Sequence, residues 1–195
     1  MQIPKSWATG SQADLREKPR RSLTSTLCNC VRLNMKKGTL VFFCGKMGAG
    51  KSTKSKEIAL ERKAILLSED EWLESVYPNQ ITSLGDYVKY SRQLKPQIKK
   101  LVQSILGAGT DVVMDFPANT ISQREWFKEI FSAAKAPHIL IYIDVPNNVC
   151  LKQIEKRRIE QPERAATDTT EMFNQVTKYF VEPAAEEGFN IIRVD

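Results

Sequence analysis

Residues 45–53 read GKMGAGKST and follow directly on the apolar run TLVFFC at 39–44. The spacing is G-x-x-x-x-G-K-[S/T], with Gly45, Gly50, Lys51 and Ser52 at the fixed positions. Glycines there let successive backbone N–H groups turn into one concavity, and the helix that follows adds partial positive charge at its N-terminus. Such a loop fits the phosphates of a nucleotide, and it works only between a strand and a helix, the context this sequence supplies. The whole loop, Gly45, Lys46, Met47, Gly48, Ala49, Gly50, Lys51, Ser52 and Thr53, is therefore expected to cradle ATP. Lys51 should reach the β- and γ-phosphates, and the Ser52 hydroxyl should ligate Mg²⁺.

The rest of the chain alternates in the same way. Near-continuous apolar runs at 39–44, 64–68, 111–116, 138–145 and 189–194 read as parallel strands covered on both faces. Helical patterns lie between them, near 51–62, 69–76, 86–106, 120–135, 147–160 and 169–181. Leu94, Ile98, Leu101 and Ile105 mark the apolar stripe of the longest. Asp86 is expected to cap that helix and Pro96 to kink it. Asp168 with Glu171 reads as a capping box for the last helix, which Pro183 should close. The expectation is a three-layer α/β domain with right-handed crossovers.

Charge divides the chain unevenly. Of 29 basic and 23 acidic residues, eight and two lie in residues 1–37, which leaves 38–195 with twenty-one of each sign. Residues 1–37 mix Ser, Thr, Pro and Arg without apolar periodicity and read as a disordered basic tail. A weak nucleic-acid arm, a transit peptide and an upstream start with Met35 as the natural one are all open readings. No run of 18 apolar residues exists to span a bilayer. Cys28, Cys30, Cys44 and Cys150 are too scattered for a disulfide framework, so reduced thiols in a cytoplasmic protein are expected.

A nucleotide loop of this kind needs a second Mg²⁺-directed carboxylate at a nearby strand end, and Asp115 in VVMD supplies one. The loop after the second run is crowded with acid: Glu69, Asp70, Glu71 and Glu74. Ser68 with Glu71 reads as a capping box. Yet loops at the carboxyl ends of parallel strands line the ligand crevice, where Asp70 could accept a proton from an acceptor hydroxyl. Glu69, Glu71 and Glu74 are assigned to the helix. Further on, KRRIEQPERAATD at 156–168 carries Arg157, Arg158 and Arg164. It reads as a lid that stabilises charge on a transferred phosphoryl group, or as a solvated basic helix end. Arg124 could face the crevice as a substrate-binding residue, with Asn119 or Thr120 capping its helix. Trp72, Trp126, Phe127, Phe131 and His138 read as packing residues.

With these pieces assembled, residues 38–195 resemble the P-loop kinases of the zeta-toxin, chloramphenicol phosphotransferase and polynucleotide 5′-kinase group. Within it they are most similar to the AAA domain ATP-binding proteins. The resemblance implies a five-stranded parallel sheet in the order 2-3-1-4-5 with a helical lid. It also implies an Asp general base after the second strand, which maps onto Asp70, and lid arginines mapping onto Arg157, Arg158 and Arg164. The expected activity is transfer of the ATP γ-phosphate to a hydroxyl of a small molecule or a nucleic-acid end. The alternative is a nucleotide-dependent switch that hydrolyses ATP slowly and acts through a protein partner. A nucleic-acid-binding module would rest on the tail alone. Acceptor and oligomeric state are not legible.

Overall fold

A computed structural model of the chain describes residues 36–165 and 167–195. The expectations for the basic tail up to Met35, including Met35 as a start, lie outside the described residues. The elements run β1 (Leu40–Cys44), α1 (Lys51–Arg62), β2 (Ile65–Ser68), α2 (Glu69–Val76), α3 (Leu84–Gly107), β3 (Val112–Pro117), α4 (Ile121–Ala134), β4 (His138–Ile143), α5 (Asn147–Glu160), α6 (Thr170–Thr177) and β5 (Ile191–Val194). The five strands form one parallel sheet in the order β2-β3-β1-β4-β5.

The central strands β3, β1 and β4 are largely apolar because helices cover both faces, whereas the edge strands β2 and β5 are partly exposed. All of β1 is buried, and its side chains alternate. Leu40, Phe42 and Cys44 enter a core with Ile98, Val102, Phe127 and Ile130 of α3 and α4. Val41 and Phe43 enter a second core with Ala59 of α1, Ile154 of α5 and Phe173 of α6. Phe42 stacks on Phe127 at 4.3 Å between ring centroids.

Three local expectations are corrected. Ser83 caps α3, its hydroxyl accepting from the Asp86 N–H at 3.1 Å. Asp86 sits in the first turn instead and accepts from the Ser83 and Thr82 hydroxyls. Pro96, where a kink is expected, lies inside this single helix. Thr169 caps α6 by accepting from the Met172 N–H at 3.1 Å, because Asp168 is buried in an ion pair. That helix stops at Thr177, well before Pro183. The Thr120 cap does form, with Gln123 completing a capping box.

Two features of the sheet prepare a crevice. β1 and β3 pair in register from Leu40↔Val112 to Phe42↔Met114, then shift so that Phe43 faces Pro117. Asp115 is thereby released from β1 and pairs only with Ser68 of β2. The parting lies at the carboxyl ends of the strands, where α/β sheets bind their ligands. Among the described residues no helix is long and apolar enough to cross a membrane.

Phe127 is fully buried against Phe42 at the centre of the first core. Phe127→Ala should therefore lower unfolding free energy by about 3–5 kcal/mol, read by urea denaturation, with little change in the denaturant slope.

Candidate active site

The glycine loop is held from both ends. The Gly45 N–H donates to Asn119 Oδ1 at 3.0 Å, which ties the loop to the turn after β3. Gly48 has φ +76, and a Cβ there would stand 2.5 Å from the Cys150 carbonyl oxygen and 2.8 Å from Ile154 Cγ1. Glycine is needed at that point both for its backbone angle and for the close approach of α5. Gly50, at φ +90, caps α1 without a side chain, leaving the first N–H groups of the helix free to meet an anion.

Lys51 Nζ donates to the carbonyls of Gly45 at 2.6 Å and Lys46 at 2.9 Å. An ammonium has three N–H bonds, so one remains for a phosphate oxygen. Burial pushes the Lys51 pKa down, and the nearby Asp115 opposes that shift. The same desolvation pushes Asp115 up, countered by the nearby Ser52 hydroxyl and the charge of Lys51. Ser52 and Asp115, 63 residues apart in sequence, thus meet at the mouth of the β1–β3 gap. Among the described residues no group of three or more His, Cys, Asp and Glu forms a metal site. A hydroxyl and a carboxylate fit Mg²⁺, which takes few protein ligands and completes its shell with water and phosphate oxygens.

A cleft of about 740 Å³ runs from this loop to the segment after α5. Gly48 to Thr53 line one side, and Arg157 and Arg164 the other. Arg157 donates to both oxygens of Asp168, at 2.6 and 2.7 Å, and that carboxylate is fully buried. Arg164 lies 3.5 Å from Asp168 and 3.7 Å from Asp70. Arg158 is exposed and does not line the cleft. Sequence reasoning took Asp168 for a cap and so missed its hold on Arg157; the two are eleven residues apart, across a turn no local pattern describes.

The acidic loop divides differently from the expectation. Ser68 does cap α2, accepting from the Glu71 N–H at 3.4 Å. Asp70 is exposed, within 3.7 Å of Arg164 and 3.4 Å of the Tyr87 hydroxyl. Glu69, assigned from sequence to the helix, is the first residue of α2 and is buried. It accepts from the Ser91 and Tyr87 hydroxyls, each at 2.6 Å. Tyr87 and Ser91 stand four apart on α3, a polar pair in line with apolar Leu94 and Ile98. That pair was the available signal for a buried partner.

Arg124 does not face the crevice. Its side chain is fully buried and donates to Glu187 at 2.7 and 2.8 Å, to Ala118 O at 3.1 Å and to Val181 O at 2.8 Å. A buried guanidinium requires a carboxylate, and Glu187, 63 residues on, provides it. Arg124 thus ties the turn after β3 to the segment ahead of β5. Just above it Cys44 is buried, and burial raises its thiol to about 11. His138 stacks on Phe131 at 3.8 Å, and its Nε2 accepts from the Asn190 N–H. It is a packing residue.

A family model described as AAA domain matches residues 40–192. The chain belongs to that family. It is a P-loop kinase-like family, and the fold is that of P-loop kinases. Probable thymidylate kinase 2 of Saccharolobus solfataricus is 25% identical over 152 residues, covering 68% of this chain and 71% of that protein. A candidate kinase from Chloroflexus aurantiacus superposes with TM-score 0.65 at 21% identity, covering 83% of this chain and 86% of the other. The Kti12 protein of Chaetomium thermophilum, solved with ADP-AlF3, gives TM-score 0.59 at 16% identity, covering 80% and 88%. The Mycobacterium tuberculosis APS kinase CysC, solved with AMPPNP and APS, gives 0.54 at 15%, covering 82% and 90%. At these identities the structural likenesses show the fold.

Desolvation raises the Glu69 pKa more than its two hydroxyl donors lower it. The folded protein therefore binds more protons than the unfolded chain between the ordinary glutamate value and the raised one. Stability contributed by this proton is full below that window and is lost as pH rises through it. Glu69→Gln keeps the shape and both hydroxyl contacts without the charge. Thermal melts from about pH 4 to pH 8 should show the variant gaining on the wild type towards neutral pH and converging with it in acid. A constant difference would contradict the burial of an ionisable group here.

Proposed function

We propose that the chain transfers the γ-phosphate of ATP to a hydroxyl of a small molecule or a nucleic-acid end. The observation that carries this reading is one cleft lined by the glycine loop and by Arg157 and Arg164, with the Asp70 carboxylate beside Arg164. Membership of a P-loop kinase-like family supports it.

The loop N–H groups and the remaining N–H of Lys51 bind the β- and γ-phosphates. The Ser52 hydroxyl and, across water, Asp115 would hold Mg²⁺, whose charge neutralises the phosphate oxygens as the bond to the leaving group weakens. Arg164 donates to the transferring group, and Arg157 with Asp168 fixes the segment that carries it. Asp70 accepts the proton that the acceptor hydroxyl releases as its oxygen attacks phosphorus. A phosphate acceptor would arrive already ionised and need no base, so an exposed carboxylate at this position favours a hydroxyl.

Lys51→Ala should weaken ATP binding at least tenfold, the effect of losing one charge-assisted hydrogen bond of about 1.5–3 kcal/mol; calorimetric titration measures it. Unchanged affinity would remove the glycine loop from the site. Asp70→Asn should still bind ATP while phosphotransfer falls by about 10²–10⁴, the range for a lost general base. The transfer assay is γ-labelled ATP incubated with metabolite and RNA extracts. Label found only in free phosphate would favour the nucleotide switch over the kinase.

A further inference from the structure

The side chain of Arg164 is poorly satisfied for a guanidinium. Its contacts to Asp168 at 3.5 Å and Asp70 at 3.7 Å are within ion-pair range but too long for good hydrogen bonds. Its Nε is buried with no hydrogen-bond partner among the described residues. Asp168 is held by Arg157, which takes both of its oxygens at 2.6 and 2.7 Å and leaves Arg164 only the longer contact. Arg157 is thereby the fixed arginine of the pair and Arg164 the available one. Arg164 also lines the cleft that begins at the glycine loop.

A polyphosphate entering that cleft presents oxygens that can bond a guanidinium two at a time, which a carboxylate at 3.7 Å does not. The geometry points to Arg164 as the coupling between nucleotide and base: Asp70 and the terminal phosphate compete for the same guanidinium, so nucleotide binding uncovers the Asp70 carboxylate. Before ATP arrives, the base is partly neutralised by Arg164. Once ATP is bound, the guanidinium faces the phosphate and Asp70 is free to take the acceptor's proton. Nucleotide would therefore precede productive use of an acceptor. The inference rests on the kinase reading but needs no acceptor to be known.

Competition gives an unusual sign. Removing an acid from the site should tighten a nucleotide that reaches Arg164. AMP-PNP and ADP, each with Mg²⁺, are titrated calorimetrically into the full chain as wild type, Asp70→Asn, Arg164→Gln and the double variant. Circular dichroism checks that each is folded. For an exposed ion pair, Asp70→Asn should bind AMP-PNP about two- to fivefold more tightly. The gain should be smaller for ADP, which lacks the terminal phosphate, and should vanish in the Arg164→Gln background. An equal gain with and without Arg164 would mean through-space repulsion alone and would overturn the coupling, as would no gain at all. Either result leaves AMP-PNP binding intact, whereas a wild-type chain that binds no AMP-PNP overturns the kinase reading itself.

Discussion

Everything at the site depends on β1 being covered on both faces. Its five residues are buried, with Leu40, Phe42 and Cys44 against α3 and α4, and Val41 and Phe43 against α1, α5 and α6. A strand held in that way is fixed in height and rotation, and so is the loop that leaves its carboxyl end. The glycine loop is therefore tethered to its surroundings as well as to β1. Its entry is pinned by Asn119 and its middle by the close approach of α5 to Gly48.

Around that fixed point the site is built from charges brought together under partial desolvation. Lys51 is pushed towards its neutral form by burial and held charged by Asp115, while Asp115 is pushed up by burial and held down by Ser52 and Lys51. Burial thus disfavours the charged form of each group and its neighbours oppose that, and in the proposed reaction a polyphosphate with its cation would add to the same balance. Across the cleft the Arg157–Asp168 pair performs a different task. It is a bidentate pair between a half-buried Arg157 and a fully buried Asp168, and it anchors the segment on which Arg164 is presented.

Much of this was legible in the sequence. Five strands fell where five apolar runs stood, most plainly for the central three, since a strand buried on both faces cannot hide its composition. The loop was legible because the pattern tolerates few residue types at Gly45, Gly50, Lys51 and Ser52, and because the flanking strand and helix are local. The caps at Ser68 and Thr120 were legible for the same reason, as each bonds an N–H three residues on. Asp86 and Asp168 were misread because Ser, Thr and Asp compete for the same cap, and the winner is set by where the preceding chain enters.

What the sequence by itself determined is the order and character of the elements and the place of the glycine loop between β1 and α1. Those follow from side-chain periodicity and from the backbone freedom of glycine, both properties of neighbouring residues. Only the tertiary structure decided which charged side chains face inward. Glu69 and Asp70 are adjacent, yet one is buried under Tyr87 and Ser91 and the other reaches Arg164. Arg124 and Arg164 look alike in sequence, yet one is enclosed with Glu187 and the other lines the cleft. The reason is physical: the cost of burying a charge depends on the partner that meets it, and these partners come from elements far away along the chain.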